Sequence, residues 1–159
     1  RFEAVQAQAT NGKLDQTHSD RADELRSDYD DTPYAALVSL TQAKYAYDSG
    51  DVDAAIEHLR WASNNSNEID VQHVANLRLA KLLIEQKQFD EAETLLMTAH
   101  PPSFEVGYEE LKGDLYVAKG QIAEARVAYD KAINAAAGKA SRWLKLKRQD
   151  LGNAGIDNS

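Results

Sequence analysis

The chain has 159 residues, which suits one domain, and 43% of them are apolar, enough for a core. A net charge of −8 argues against binding to nucleic acid or an anionic lipid surface, because phosphate contacts need clustered cations. With no cysteine there is no thiolate metal site, disulfide or cysteine nucleophile, and no apolar run approaches the roughly 20 residues needed to span a bilayer.

Three prolines and eight glycines, with abundant alanine, leucine, glutamate and lysine, favour helix over strand or disorder. The chain starts at Arg1 without an initiator methionine, which reads as a fragment or a processed product. Residues 1–11 place Phe2, Val5 and Ala9 on one side of a helix that Asn11-Gly12 ends. Residues 17–29 carry Ala22, Leu25 and Tyr29 on one face, so 1–30 reads as a degenerate first hairpin. Terminal repeats are atypical because one face meets water. Thr32 and Pro33 then form a cap and a first helical residue for a helix over 33–49, closed by Gly50.

A partner helix over 52–64 runs into the polar loop Asn64-Asn65-Ser66-Asn67. Asp70 is expected to cap the next helix, 71–87, whose exit at Gln86-Lys87-Gln88 has to turn without a glycine. The helix over 89–99 stops at His100-Pro101-Pro102, and Ser103 is expected to cap 104–119, closed by Gly120. Residues 122–137 complete a third full hairpin, after those at 33–64 and 71–99. Residues 139–151 read as a capping helix with Trp143, Leu144, Leu146 and Leu151 on its apolar side and Lys139, Arg142, Lys145, Lys147 and Arg148 pointing elsewhere. The tail 152–159 reads as disordered. The whole of 1–151 is taken as a single domain.

The organising signal is a pattern that occurs three times. Gly50-x-Val52-x-x-Ala55-x-x-x-Leu59-x-x-Ala62 aligns with Lys87-x-Phe89-x-x-Ala92-x-x-x-Leu96-x-x-Ala99 and with Gly120-x-Ile122-x-x-Ala125-x-x-x-Tyr129-x-x-Ala132. The copies are offset by 37 and 33 residues. Tetratricopeptide hairpins repeat at about 34 residues. Ala55, Ala92 and Ala125 would sit where the second helix of a hairpin crosses the first, and a small side chain lets the axes approach. Ala43, Ala80 and Gly113, each seven positions before the turn, are the matching small residues on the first helices. The expected fold is an all-α, tetratricopeptide-like, right-handed solenoid of helical hairpins.

Signs of catalysis or metal binding are weak. His18, His58, His73 and His100 have no i, i+4 pairing, and there is no His-Glu-x-x-His. Asp28, Asp30 and Asp31 suggest a calcium loop, but Pro33 stands where that loop needs glycine. Glu109 and Glu110 are neighbours, which on a helix point about 100° apart and make a poor catalytic pair. No catalytic, metal or cofactor-binding residue is assigned, and no enzyme activity is expected.

The candidate site is a groove lined by the first helices of the hairpins. The repeat register points inward Leu37, Leu40, Lys44 and Tyr47, then Val74, Leu77, Lys81 and Ile84, then Gly107, Glu110, Asp114 and Val117. Such a groove is apolar in the middle, with two lysines on one rung and an acidic end. It suits an amphipathic helix or extended segment of a partner. A lysine clamp for a C-terminal carboxylate would also need inward asparagines, and Asn76 lies one position off that face.

A resemblance rests on a longer series. Pro33-Tyr34-Ala35-Ala36-Leu37, then Leu77-Arg78-Leu79-Ala80 with Leu82-Leu83, and Gln88-Phe89-Asp90-Glu91-Ala92 come first. Glu110-Leu111-Lys112-Gly113-Asp114, then Gly120 through Ala125-Arg126-Val127-Ala128-Tyr129, and Lys145-Leu146-Lys147 follow in order. Over roughly residues 20–151 the chain resembles the YfgM family, ancillary subunits of the SecYEG translocon. The resemblance implies a soluble periplasmic domain of a single-pass inner-membrane protein whose N-terminal anchor lies outside this chain. It implies association with the SecYEG translocon, with a membrane-anchored periplasmic chaperone of the PpiD kind, and with emerging secretory chains during handover. The second reading is a tetratricopeptide adaptor or lipoprotein scaffold in outer-membrane protein assembly.

Overall fold

The structure, a computed structural model, describes residues 33–152. The expected N-terminal hairpin at 1–30, the Thr32 cap, the Asp28, Asp30 and Asp31 cluster and the tail from 153 onward lie outside the described residues. Every regular element among them is helical: α1 (Pro33–Asp48), α2 (Val52–Asn65), α3 (Ile69–Glu85), α4 (Phe89–Leu96), a 3₁₀ turn (Pro102–Phe104), α5 (Glu105–Ala118), α6 (Ile122–Ala135) and α7 (Arg142–Asp150). The expected all-α repeat class stands. The chain divides into two compact units, with the division after Leu82 inside α3.

In the first unit α1 packs along α2. Pro33 opens α1, where its missing N–H costs nothing because the first-turn donors have no helical partner anyway. The contact is built from small residues. Ala35, Ala36, Ala43 and Ala46 are buried on α1, and Ala55 and Ala62 are buried on α2 beside Ile56 and Leu59. Asp51 caps α2, its carboxylate accepting from the Ala54 N–H at 3.1 Å. α3 begins two residues earlier than expected, so Asp70 is not its cap. Asp70 instead sits in the first turn, where a negative charge faces the positive end of the helix dipole. The connection is held by buried Ser66, whose hydroxyl accepts from the Glu68 N–H at 3.1 Å, while the Gln72 side-chain amide donates to the Ser66 carbonyl at 2.7 Å.

The second unit contains the hairpin of α5 and α6, with α4 against α5 and α7 against α6. Ala125, Tyr129 and Ala132 of α6 form a buried cluster with Leu144 of α7, and Val106, Tyr116, Ile133, Ala140 and Leu151 pack around it. Ser141 caps α7, accepting from the Leu144 N–H at 3.0 Å. At the other end of α7, the Arg126 guanidinium donates twice to the Leu151 carbonyl, at 3.1 and 2.9 Å. Ser103 caps nothing: it lies inside the 3₁₀ turn, and α5 starts without a side-chain cap.

α4 is shorter than expected and stops at Leu96. The Met97 N–H is shared between the Glu93 and Thr94 carbonyls, and Thr98 N–H turns back to Leu95 O. Ala99, the last position of the middle repeat, is therefore exposed, whereas its counterparts Ala62 and Ala132 are buried. His100 secures this link. Its ring stacks on Tyr108 at a centroid distance of 4.0 Å, Nε2 lies 2.7 Å from Glu105 Oε1, and Nδ1 lies 2.8 Å from the Thr98 carbonyl. His100 is thus a packing residue here.

The three repeat turns share one geometry. After α1, Gly50 N–H donates to Tyr47 O and Asp51 N–H to Ala46 O; after α5, Gly120 N–H donates to Val117 O and Gln121 N–H to Tyr116 O. These are Schellman closures, which need one residue in the left-handed region. Lys87 fills that place after α3 at φ 60°, donating to Ile84 O, and Gln88 donates to Leu83 O. A left-handed residue with a Cβ costs about 1 kcal/mol, and the looser unfolded chain of a glycine variant returns part of any gain. Lys87→Gly should therefore raise stability by about 0.5 kcal/mol, read as a higher urea midpoint with unchanged slope. A lower midpoint would show that the Lys87 side chain makes contacts worth more than the strain.

Candidate protein-binding face

On α1 the buried residues are Ala35, Ala36, Val38, Ser39, Gln42, Ala43 and Ala46, whereas Leu37, Lys44 and Tyr47 are exposed and Leu40 is half-buried. On α3, Val74 and Leu77 are half-buried and Lys81 is exposed, while Ala75, Asn76, Leu79 and Ala80 are buried. Spacing by three and four residues keeps each accessible set on one helical stripe.

Four of the expected groove residues come together in the first unit. Leu40, Lys44, Tyr47 and Lys81 line a cavity of about 320 Å³. Its lining also includes buried Ala43, Leu59 and Leu82. Lys44, Asp48, Arg78 and Lys81 are its charged residues, all exposed. Lys44 Nζ pairs with Asp48 at 3.0 Å. Leu37, Val74 and Leu77 belong to the same unit but do not line the cavity. Asn76 is buried and accepts a hydrogen bond from the Ser63 hydroxyl, so it is not offered to a carboxylate ligand. Arg78 was missed because it lies just beyond Leu77 in the inward register. Its distance of three residues from Lys81 is the signal that would have found it.

The remaining groove residues are in the second unit. Ile84 and Gly107 are half-buried and Val117 is exposed. Glu110 and Asp114 are half-buried and both engaged: Lys147 Nζ from α7 lies 2.9 Å from Glu110 Oε2 and 3.1 Å from Asp114. The Tyr129 hydroxyl donates to Asp114 at 2.6 Å. Both carboxylates of the acidic end are thus engaged within the protein. Burial alone would lower the Lys147 pKa, but hydrogen bonds and charge from Glu110 and Asp114 outweigh it and hold the ammonium above the ordinary lysine value. Burial, then the Asp114 hydrogen bond and the nearby negative charge, push the Tyr129 phenol far above the ordinary range.

Two expectations for α7 change here. Lys147 and Arg148 do not point away into water: Arg148 Nε donates to Asp130 at 2.7 Å, and its guanidinium also donates to the Gly152 carbonyl. Conversely, Trp143 is 65% exposed and Leu146 is also exposed, so Leu144 and Leu151 alone represent the expected apolar side in the packing around α6. A short helix offers one narrow stripe, and Leu144 takes its centre. Glu109 is buried and pairs with Lys112 at 3.2 Å, whereas Glu110 reaches Lys147, so the two neighbours diverge as their helical spacing requires.

Among the described residues no group of three or more histidines, aspartates or glutamates could hold a metal ion. No helix among them is long and apolar enough to cross a membrane. What the hairpins offer is an accessible apolar stripe with sparse charge, the surface of a helical-repeat protein that recognises other proteins. The chain matches the family model of the tetratricopeptide repeat-like domain over residues 1–153, and it belongs to that family.

Among its relatives is the ancillary SecYEG translocon subunit of Neisseria gonorrhoeae, 32% identical over 109 residues, covering 69% of this chain and 52% of that protein. The ancillary SecYEG translocon subunit of Haemophilus influenzae is 28% identical over 76% of this chain and 59% of its own length. That of Escherichia coli is 27% identical over 74% of this chain and 58% of its own length. The resemblance read from the residues agrees with these relatives. The chain spans between 52% and 59% of their lengths. No solved structure matches the chain.

Proposed function

We propose that this chain is the protein-binding domain of an ancillary subunit of the SecYEG translocon, working at the periplasmic face of the bacterial inner membrane. The observation that carries this reading is the agreement among relatives. Each aligned protein bears the name of an ancillary SecYEG translocon subunit, over 69–76% of this chain for the three described above. The partners are other proteins: the translocon, a membrane-anchored periplasmic chaperone of the PpiD kind, and secretory chains as they emerge. The role is to hold and hand over, without catalysis or a cofactor. Accessible apolar residues on the first helices (Leu37, Leu40 and Tyr47, then Val74 and Leu77) support it, because a groove of that chemistry accepts an amphipathic or extended segment.

The test is co-purification. The full-length protein, including whatever precedes Arg1, is recovered from detergent-solubilised membranes and its companions are identified. Translocon subunits together with a periplasmic chaperone are expected. Recovery of outer-membrane assembly factors would replace this reading with that of an assembly scaffold. Recovery of neither group would overturn both.

A further inference from the structure

The cavity in the first unit carries a charge pattern at odds with the rest of the chain. The chain has a net charge of −8, yet the cavity is lined by three cations and one anion. Lys44 and Asp48 satisfy each other. Arg78 and Lys81 have no hydrogen-bond or ion-pair partner among the described residues. They stand three residues apart on α3, where side chains are neighbours, so two like charges face the same opening. From α1, Leu40 and Tyr47 line the same cavity and give it a surface that accepts apolar side chains.

From this juxtaposition we infer that the cavity receives a partner segment in which a large apolar side chain is flanked by aspartate or glutamate. The apolar side chain fills the space beside Leu40 and Tyr47, and the flanking carboxylates pair with Arg78 and Lys81. A cavity of about 320 Å³ is at the lower limit of small-ligand sites, which start at roughly 300 Å³. That size suits one or two side chains of a peptide better than a whole metabolite. The carboxylates are side-chain ones: the asparagine that would complete a grip on a chain terminus, Asn76, is buried against Ser63. Arg78 supplies a planar fork suited to a carboxylate, and Lys81 supplies a mobile point charge. The inference rests on the protein-binding role proposed above and adds the chemistry of what is bound.

Two fluorescent, terminally blocked helical peptides provide the probe, one with leucines flanked by glutamates and the other with every glutamate replaced by lysine. The whole chain should bind the glutamate peptide at least tenfold more tightly, with the preference shrinking as salt rises. In the double variant Arg78→Glu, Lys81→Glu the order should reverse, at an unchanged melting temperature because both residues are exposed. If that variant does not fold, Arg78→Gln with Lys81→Gln should abolish the preference instead.

Equal binding of the two peptides, binding of neither, or a preference untouched by these variants would overturn the inference. So would concentration-dependent dimers in sedimentation that the charge reversal dissolves, since the occupant would then be a second copy. The translocon reading is judged separately. If the charge-reversed full-length protein still recovers translocon subunits from membranes while the peptide result fails, the translocon reading stands and only the cavity's role is lost. If the wild-type protein recovers none, it is the translocon reading that fails.

Discussion

Gly113→Ala is expected to destabilise the protein by about 3 kcal/mol, although alanine is the better helix former. Gly113 is buried in α5, and a Cβ built there would lie 2.3 Å from one ring carbon of Tyr129 and 2.4 Å from the next. The obstacle is the body of a buried ring, not a flexible chain end. Tyr129 is 2% exposed and its hydroxyl is tied to Asp114, so moving the ring also disturbs that hydrogen bond. Overpacking costs about 1–3 kcal/mol, and a hydrogen bond to a charged group is worth about 1.5–3 kcal/mol. The helix-propensity gain of about 1 kcal/mol does not offset these.

The first hairpin indicates the remedy. There the equivalent register positions hold Ala43 and Leu59, both buried, so alanine is tolerated where the facing residue is smaller. Tyr129→Leu should accordingly cost much less in the Gly113→Ala background than in the wild type. Chemical denaturation of the four proteins closes the cycle, and a coupling of at least about 1 kcal/mol is expected. Additive losses would mean that Gly113 and Tyr129 do not oppose each other.

The same pair shows why the fold was legible in the sequence. Two helices cross closely only where side chains are small, and that requirement recurs with every hairpin. Ala55, Ala92 and Ala125 stood at one register position, and all three are fully buried. The left-handed turn recurs for a similar reason, even at Lys87, because the backbone closure sets the conformation and the residue accommodates it. Capping was read less well. Asp70 and Ser103 are plausible caps by type, but α3 starts earlier and a 3₁₀ turn displaces the start of α5. Such offsets follow from how the chain packs around Ser66 and His100, which no local pattern encodes.

Part of the candidate face was visible for the same periodic reason. Leu40, Lys44, Tyr47 and Lys81 could be set on accessible stripes by counting residues. What counting does not give is the partner of a charge. Glu110 and Asp114 were read as the open acidic end of a groove, and Lys147 as a solvated lysine on a capping helix. They are 37 and 33 residues apart from it in sequence, and only the packing of the second unit brings them together.

That network makes the second strong prediction. Lys147→Met should lower stability near neutral pH by about 2 kcal/mol, although methionine fills much of the same space. Removing one partner of a buried ion pair costs about 3–5 kcal/mol because the opposite charge is left uncompensated. The three side chains keep 23–27% of their exposure, so water recovers part of that loss. The pH dependence identifies the origin. The Lys147 pKa is raised in the folded state, so its contribution is complete below the unfolded value of 10.5 and fades as pH rises through the folded one. Tyr129 is also raised, and its contribution is likewise lost only above the ordinary 10.0, as the unfolded chain ionises first.

Wild-type stability should therefore be insensitive to these two groups at neutral pH and decline above about 10, more gently in Tyr129→Phe. The gap between wild type and Lys147→Met should narrow over the same alkaline range, because the wild type then loses the ammonium that the variant lacks. Urea midpoints measured on both sides of pH 10.5 decide it. A gap that is absent at neutral pH, or constant into the alkaline range, would show that the ion pairs contribute nothing. Adding Glu110→Gln and Asp114→Asn to Lys147→Met should recover most of the loss, since the penalty comes from stranded carboxylates and not from the missing ammonium itself.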